Sequence, residues 1–319
     1  MSFRPSQWCV RVLVGCGLWG GLLWGCQRSV PPPLTSATSP PAETAFPLSV
    51  QDDLGRRVRL VRPPERIVSL TPNLTEMVFA LGLGDRLVGV SEYCEYPPEA
   101  REKPQVGGPA TPNLERLVAL KPDLVLAARI VPLEVLRQLD EMGLPNLAFD
   151  PRTLSDVLAH LRLIGRVAGI PQRAEALVTR LEQRVEAIVS HTQALPQAAR
   201  PTVLLVFWSE PLMGYGPGSF GDDLICLAGG RNLLADAKQP YPVVNWELVV
   251  ERNPEVILLA QPTGTSSLES QPGWSQLRAV RTGRVHSFPD PNVVLVPGPR
   301  LVDALEQMAH WLHPNLREP

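Results

Sequence analysis

Short apolar runs alternate with amphipathic segments along residues 48–314. The run at 66–70 is strand-like, and Thr71-Pro72-Asn73 after it opens a helical pattern that stops at Gly82. Further predicted strands lie at 87–91, 124–127, 146–149, 203–207, 256–259 and 285–288, with a hairpin at 48–51 and 57–61. Predicted helices lie near 113–120, 132–142, 154–168, 219–228, 245–252 and 299–312. This alternation predicts parallel or mostly parallel sheets covered by helices on both faces.

The longest helical pattern runs from Pro171 to about Gln193. Its apolar residues keep helical spacing, and Pro171 suits the first turn of a helix. A helix of about 23 residues is about 35 Å long and makes a stiff connector, which favours small tilts over a large hinge closure. We therefore predict two Rossmann-like α/β lobes, joined by one long connecting helix, with a ligand cleft between them. The predicted bounds are 48–170 for the N-terminal lobe, 171–195 for the connecting helix and 196–319 for the C-terminal lobe.

One stretch of the sequence occurs twice. Identical Asn, Glu, Val, Pro and Leu residues hold the same places in 113–127 and 245–259, at an offset of 245 − 113 = 132 residues. Each copy leads into an apolar run of strand type, which indicates two related lobes. The copies offer matched glutamates, Glu115 and Glu247, to any partner that docks across both lobes. The alternative is a chance echo of a common helix-proline-strand unit.

The N-terminus has the form of a secretory signal. Arg4 and Arg11 precede an apolar run at 12–25, and about 14 apolar residues are too few to span the hydrocarbon of a bilayer. The sequence at 22–26, Leu-Leu-Trp-Gly-Cys, resembles a bacterial lipobox, in which Cys26 is acylated and becomes the mature N-terminus. Residues 1–26 are therefore predicted to be a lipoprotein signal peptide. The alternative is a short uncleaved anchor with an incidental cysteine.

A segment rich in Pro, Ser and Thr follows at 27–47 and is predicted to be a tether, because it cannot bury enough apolar surface to fold. The sequence thus describes a folded body held near a membrane from outside the cytoplasm. In that oxidising compartment Cys94 and Cys226 could pair. One falls in each predicted lobe, where a disulfide would clamp the cleft, and we expect two free, sheltered thiols instead.

Composition and missing motifs narrow the function. The net charge of −2 argues against a nucleic-acid-binding protein. The sequence contains no Gly-x-Ser-x-Gly elbow, His-Glu-x-x-His helix or phosphate-binding Gly-x-x-x-x-Gly-Lys-Ser loop, which weakens any assignment as an enzyme. His310 and His313 share one helix face, but a pair without a third ligand predicts no metal site.

Four stretches carry a family resemblance, at 67–76, 88–98, 113–125 and 228–232. They read Ile-Val-Ser-Leu-Thr-Pro-Asn-Leu-Thr-Glu, Val-Gly-Val-Ser-Glu-Tyr-Cys-Glu-Tyr-Pro-Pro, Asn-Leu-Glu-Arg-Leu-Val-Ala-Leu-Lys-Pro-Asp-Leu-Val and Ala-Gly-Gly-Arg-Asn. Through them the chain resembles the ABC-transporter periplasmic binding proteins of the helical-backbone type, which are receptors for cobalamin, haem and iron chelates. The resemblance covers nearly all of residues 48–314 and is most similar to the vitamin B12 receptors.

The resemblance implies a docking role for the matched glutamates. In this family one glutamate on the outer face of each lobe engages arginines of the permease dimer, and the matching positions are Glu115 and Glu247. Two carboxylates at the lobe tips suit paired basic sockets on a two-fold partner. The alternative for each is a carboxylate that satisfies backbone donors near a helix N-terminus.

The resemblance also implies ligand contacts from the loops at the strand ends. The matching positions are Tyr93, Gly108, Arg129, Trp208, Tyr215, Tyr241 and Asn292. Aromatic walls with a few polar groups suit the flat, apolar faces of a corrin or porphyrin. The alternatives are that Trp208 ends a core strand and points inward, and that Tyr215 caps a glycine-rich turn.

Some positions depart from the cobalamin receptors. The loop at 107–111 lacks the tryptophan that those receptors often carry, and Tyr241 stands where a Pro-Trp-Pro element would place an indole. Haem or chelated iron therefore remains an alternative ligand. The cationic candidates for an anionic chelate are Arg129 and Arg300, and Tyr93 could serve as the axial ligand of a haem.

The sequence therefore predicts a monomeric, lipid-anchored solute-binding protein without catalytic residues or cofactor. It captures a corrinoid metal chelate and delivers it to the permease dimer of an ABC importer. A receptor for haem or an iron-siderophore is the alternative in the same class. Outside it, the alternatives are an extracytoplasmic α/β hydrolase, with a reactive Ser or Cys in the cleft, and a cell-surface scaffold lipoprotein with a degenerate cleft.

Overall fold

Strands and helices alternate in the computed structural model as the sequence predicts. The structure describes residues 45–260 and 266–315, which belong to one compact unit. The strands are β1 Leu48–Gln51, β2 Arg57–Leu60, β3 Ile67–Ser69, β4 Leu87–Val90, β5 Leu124–Ala128, β6 Asn146–Phe149, β7 Thr202–Ser209, β8 Leu212–Gly214, β9 Arg231–Asn232, β10 Val256–Leu259 and β11 Val285–Ser287. The helices are α1 Pro72–Ala80, α2 Leu114–Ala119, α3 Leu133–Glu141, α4 Leu154–Val167, α5 Pro171–Thr192, α6 Phe220–Leu227, α7 Trp246–Arg252, α8 Ser266–Glu269, α9 Arg278–Arg281, α10 Asn292–Leu295 and α11 Leu301–Leu312.

Each lobe is built on its own sheet. The N-terminal sheet is parallel, with the strand order β4-β3-β5-β6. The C-terminal sheet has the order β11-β10-β7-β8, and β9 also pairs with β7. Strand β8 runs antiparallel to β7, whereas β9, β10 and β11 are parallel to their neighbours. The predicted fold class of two α/β lobes with mostly parallel sheets is confirmed, and the short β8 and β9 are the strands that the sequence pattern missed.

The sequence repeat is also a structural repeat. Leu124 begins β5 beside β3, and Val256, 132 residues later, begins β10 beside β7. Just before each strand a non-glycine residue takes a positive φ, which is uncommon: Lys121 has φ 48° and Asn253 has φ 46°. The same backbone turn recurs at the same offset, 253 − 121 = 132, so the repeated sequence adopts the same helix, turn and strand in both lobes.

The long helix α5 connects the lobes and is held on both sides by ion pairs. Arg162 of α4 contacts Glu175 at 2.8 Å and Glu182 at 3.0 Å, and both carboxylates belong to α5. Arg184 of α5 contacts Glu306 at 2.8 Å and Asp303 at 2.6 Å, and both belong to α11. Each pair is partly exposed and stabilises little on its own. Together they fix the direction in which α5 meets each lobe.

The largest apolar cluster extends through both lobes and the connecting helix. Fully buried members come from α1, α4, α5, α6 and α11, and they include Leu74, Leu161, Val178, Leu224 and Leu305. Two smaller clusters lie within single lobes. A large rotation of one lobe would expose the shared core to water. This exposure costs about 25 cal/mol of free energy for each Å² of apolar surface. The fold therefore favours small movements between the lobes.

The predicted signal peptide 1–26, its lipidation site Cys26 and all of the 27–47 tether except residues 45–47 lie outside the described residues. In the part of the chain that the structure describes, no helix has both the length and the apolar character needed to cross a bilayer.

The two cysteines differ in their surroundings. Both are free, as expected. Cys94 is buried, its sulfur lies 3.1 Å from Thr75 Oγ1, and burial raises the pKa of its thiol. Cys226 is exposed, so the expectation of a sheltered thiol is wrong there. The reason is its position on the solvent side of α6, where Leu224 and Ile225 face the core instead.

Candidate ligand cleft

A cavity of about 590 Å³ lies where the two lobes face each other. Its N-terminal wall comes from the segments that follow the carboxyl ends of parallel strands: Asn73 after β3, Tyr93 after β4, Arg129 after β5 and Asp150 after β6. That edge of an open parallel sheet is where ligands bind in α/β folds. The full lining is Thr71, Pro72, Asn73, Tyr93, Pro109, Ala128, Arg129, Ile130, Phe149, Asp150, Pro151, Phe207, Tyr215, Phe220, Tyr241, Leu295, Val296 and Pro297.

The C-terminal wall is a cluster of aromatic rings. Phe207, Tyr215, Phe220 and Tyr241 pack with centroid distances between 4.9 Å and 6.4 Å, in tilted and T-shaped pairs. Such pairs hold one another in place and leave apolar ring surface toward the cavity. The wall can therefore pack against a flat, apolar ligand.

The two tyrosines of this wall have different roles. Tyr215 is buried, and its hydroxyl donates to the carbonyl oxygen of Val294 at 3.0 Å, so the phenol is already engaged. Burial raises the pKa of Tyr215 well above its usual range. Tyr241 is 43% exposed and can meet a ligand directly.

The N-terminal wall carries the polar groups. Tyr93 is 61% exposed, and the guanidinium of Arg129 lies 3.5 Å from Asp150 Oδ2. The backbone N–H of Asp150 donates to Asp53 Oδ2 at 2.6 Å, and His160 Nε2 lies 2.8 Å from that same oxygen. Burial opposes ionisation of Asp53, but these hydrogen bonds hold its pKa below the usual value. The charged groups of the lining thus lie on the N-terminal wall, beside the rings of Tyr93 and Phe149, and face the aromatic C-terminal wall.

Tyr93, Arg129, Tyr215 and Tyr241 line the cavity, whereas three other candidates lie outside its lining. Gly108 is close by, since a Cβ added there would come 3.4 Å from the Tyr93 ring. Trp208 is 55% exposed and donates to the carbonyl oxygen of Glu210, so it does not point inward. Asn292 is exposed at the start of α10.

Arg300 is not among the residues that line this cavity, because its guanidinium is engaged elsewhere. Its guanidinium donates to Glu76 Oε2 at 3.0 Å and to Asp290 Oδ2 at 2.5 Å. It also lies over the ring of Tyr96, 3.8 Å from the centroid. These three partners leave only 12% of its side chain exposed. Arg129 is therefore the cationic residue among the described residues that line the cavity.

Phe207 lines the cavity, although the family resemblance does not point to it. Successive side chains of a strand point to opposite faces of the sheet, so the choice between Phe207 and Trp208 is a choice of face. In β7 the cavity side belongs to Phe207, and Trp208 lies across from Met213 on β8. Val203, Leu205 and Phe207 belong to the large apolar cluster, whereas Leu204 and Val206 belong to a smaller one, so plain alternation along β7 gives this face.

A family model described as Periplasmic binding protein matches residues 67–291. The chain belongs to the periplasmic binding protein family. This match confirms the predicted class of solute-binding protein. The solved structure of a similar protein, given below, confirms the two-lobed architecture.

Several similar proteins are named for the ligand that they bind. The chain is 28% identical over 310 residues to an ABC transporter substrate-binding lipoprotein, YvrC, of Bacillus subtilis, covering 94% of this chain and 97% of the relative. It is 34% identical over 251 residues to a vitamin B12-binding protein of Pectobacterium carotovorum, covering 78% and 88%. The solved vitamin B12-binding protein BtuF of Vibrio cholerae matches with a TM-score of 0.69 and 28% identity, over 80% of this chain and 99% of that one. The haem-binding protein RhuT from Roseiflexus matches with a TM-score of 0.69 and 29% identity, over 78% and 98%.

The matched glutamates occupy equivalent helix starts in the two lobes. Asn113 caps α2 by accepting from the N–H of Arg116, and Asn245 caps α7 by accepting from the N–H of Glu247. The asparagines thus do the capping, and both Glu115 and Glu247 are exposed. Within 45–260 and 266–315, neither glutamate carboxylate makes a hydrogen bond or an ion pair. Because α2 and α7 each precede a parallel strand, their N-termini lie at the cleft edge of the sheet.

Proposed function

We propose that this protein is the extracytoplasmic receptor of an ABC importer, and that it captures a flat metal chelate of the corrinoid class in the cleft between its lobes. The observation that carries the proposal is the aromatic wall of Phe207, Tyr215, Phe220 and Tyr241 opposite a polar wall. A corrin ring has large apolar faces and polar edges, and this cleft offers a matching surface to each.

Haem is the second candidate, and Tyr93 is the residue that favours it. Its phenol is 61% exposed and lines the cavity, where it could become the axial ligand of a ferric haem. A corrinoid brings its own axial ligands and needs no such group. Replacement of Tyr93 by Phe should therefore abolish the visible spectrum of a tyrosinate-bound haem and leave corrinoid affinity nearly unchanged.

Transport without chemistry is the role that the cleft supports. Among the described residues that line the cavity there is neither a serine nor a cysteine, and an α/β hydrolase would need such a nucleophile. The cavity is also open rather than filled by its own side chains, which a degenerate scaffold would require. The protein binds its ligand, releases it unchanged and acts as a monomer.

Glu115 and Glu247 dock the receptor on the permease dimer in this proposal. They are exposed, capped in the same way and related by the internal repeat. Such carboxylates contribute mainly to recognition and orientation. The receptor stays at the membrane through a lipidated Cys26 and the tether that ends near residue 47. Its lobes and connecting helix have the bounds that the sequence predicts.

Calorimetric titration tests this function. The wild-type protein is titrated with cyanocobalamin, cobinamide, haemin and a ferric catecholate siderophore under identical conditions. We expect a corrinoid to bind one molecule per chain with a Kd of about 1 µM or lower, an affinity typical of a specific cleft. No binding by any of the four ligands would overturn the assignment. Binding of haemin alone would instead identify the protein as a haem receptor.

A further inference from the structure

The charged groups of the cleft are gathered on one side of it. Among the described residues that line the cavity, the charged side chains are those of Arg129 and Asp150, both in the N-terminal lobe. The C-terminal wall contributes aromatic and aliphatic side chains together with a proline. Whatever charge selectivity the cleft has must therefore come from its N-terminal wall.

A second arginine shares the same carboxylate. Arg152 donates to Asp150 Oδ2 from Nη2 at 2.8 Å and from Nε at 3.2 Å, and Arg129 Nη1 lies 3.5 Å from that oxygen. Two guanidinium groups thus share one carboxylate oxygen, and the cluster carries one excess positive charge. Arg129 is 62% exposed and Arg152 is 48% exposed in their side chains. Arg129 lines the cavity, and Arg152, which is not among the lining residues, is joined to the cavity edge through Asp150.

Asp150 holds this pair of arginines in position. Its backbone N–H is fixed by Asp53 Oδ2 at 2.6 Å, its side chain is only 21% exposed, and its neighbour Pro151 restricts the backbone. Burial raises the pKa of the Tyr241 phenol, Asp150 raises it further and Arg152 opposes the rise, so both residues lie near this ring of the opposite lobe. The cluster therefore lies at the place where the charged wall meets the aromatic wall.

Four other carboxylates lie nearby, and none of them lines the cavity: Asp53, Glu92, Asp156 and Asp223. Asp53 is paired with His160 below the wall. Asp156 accepts from the backbone N–H groups of Arg152 and Thr153 in the capping box of α4, where it meets the positive end of the helix.

We infer that the cleft selects ligands whose ring edge carries an anionic oxygen group, a carboxylate or a phosphate, and that Arg129 and Arg152 bind this group jointly. The inference rests on the proposed function and specifies its ligand. The apolar face of the ring packs on Phe207 and Tyr241, while the anionic edge points to the N-terminal lobe. Charge-assisted hydrogen bonds from two guanidinium groups then distinguish an acid from a neutral ester or amide of the same ring.

Matched pairs of ligands test the charge selectivity. Dicyanocobyrinic acid is compared with its heptamethyl ester, and haemin with its dimethyl ester, because each pair keeps the ring and removes the carboxylates. Cyanocobalamin and cobinamide form a third pair, which differs by the nucleotide phosphate. We expect the anionic member of at least one pair to bind about tenfold more tightly or better. The affinity of that member should fall as ionic strength rises.

Single substitutions assign the effect to the two arginines. Arg129→Gln and Arg152→Gln should each weaken binding of the anionic ligand about tenfold and leave the neutral ligand unchanged. Arg137→Gln is the control, because Arg137 is also exposed and paired with a carboxylate, Glu134, but lies on α3 outside the cleft. Equal affinity for the charged and neutral members of all three pairs would overturn the charge selectivity while leaving the proposed function intact. Failure of every ring ligand to bind would overturn both.

Discussion

Arg300 and Glu76 join the two lobes through one ion pair, although they are 224 residues apart in the sequence. Their side chains are 12% and 3% exposed, and burial raises the pKa of Glu76 in spite of its arginine partner. Glu76 belongs to α1, whose first residues line the cleft, and Arg300 precedes α11. The pair therefore links the floor of the cleft to the opposite lobe.

Removal of Arg300 should destabilise the protein most, because Glu76 would stay buried without its cation, whereas removal of Glu76 leaves Arg300 paired with Asp290. Arg300→Met should lower the free energy of unfolding by about 3 kcal/mol, Glu76→Leu should lower it by less, and the loss in the double variant should be smaller than the sum of the two. Urea unfolding measures all three. Arg162→Met is the control, since its ion pairs are more exposed and should contribute less than about 1 kcal/mol. Strictly additive losses in the double variant would contradict the coupling.

The Asp53–His160 contact should make stability depend on pH below the neutral range. The pKa of Asp53 is lowered in the folded protein, so its carboxylate contributes stability above the unfolded pKa of about 4 and loses it as pH falls through the folded pKa. The stability advantage of the wild type over Asp53→Asn should be constant between pH 7 and pH 5 and should shrink below about pH 4. Urea titrations at those pH values measure it. An advantage that is unchanged at pH 3 would show that the ionised carboxylate has no such role.

Reversal of both glutamates proposed for docking should separate transport from ligand binding. The variant Glu115→Arg with Glu247→Arg should lose most uptake of the ligand in cells that carry the matching importer, because its lobe tips would repel a basic permease surface. Its ligand affinity should equal that of the wild type, since neither residue lines the cleft. Glu251→Arg, an exposed position on the same helix as Glu247, is the control and should transport normally. Undiminished uptake by the double variant would remove the docking role.

Much of the fold could be predicted because it depends on local patterns. The strands are short apolar runs, the connecting helix keeps its periodicity from Pro171 onward, and the repeat fixes two similar lobes. The details that escaped prediction depend on contacts distant in sequence. The sequence offers Arg300 as a ligand contact, whereas the structure pairs it with Glu76, and no local signal connects those two residues.

The cleft could be predicted in part for a related reason. Tyr93 and Arg129 line the cavity, and both follow parallel strands. Their position could therefore be predicted from the order of strands and helices alone. Alternation along β7 separates Phe207 from Trp208, but which of the two faces meets the cleft depends on how the sheet packs against the other lobe. The sharing of Asp150 by two arginines depends on how the chain turns after β6, and sequence spacing does not determine that.

The aromatic wall of the cleft is proposed to capture a ring-shaped ligand. Two aromatic substitutions give the sharpest test of this capture. Tyr241→Ala removes a ring from the wall, whereas Trp208→Ala removes a similarly exposed aromatic ring from outside it. In calorimetric titrations with the corrinoid or haem ligand that binds the wild type, Tyr241→Ala should lose about tenfold in affinity or more, and Trp208→Ala should bind as the wild type does. Equal affinities for all three proteins, or a loss confined to Trp208→Ala, would contradict capture in this cleft.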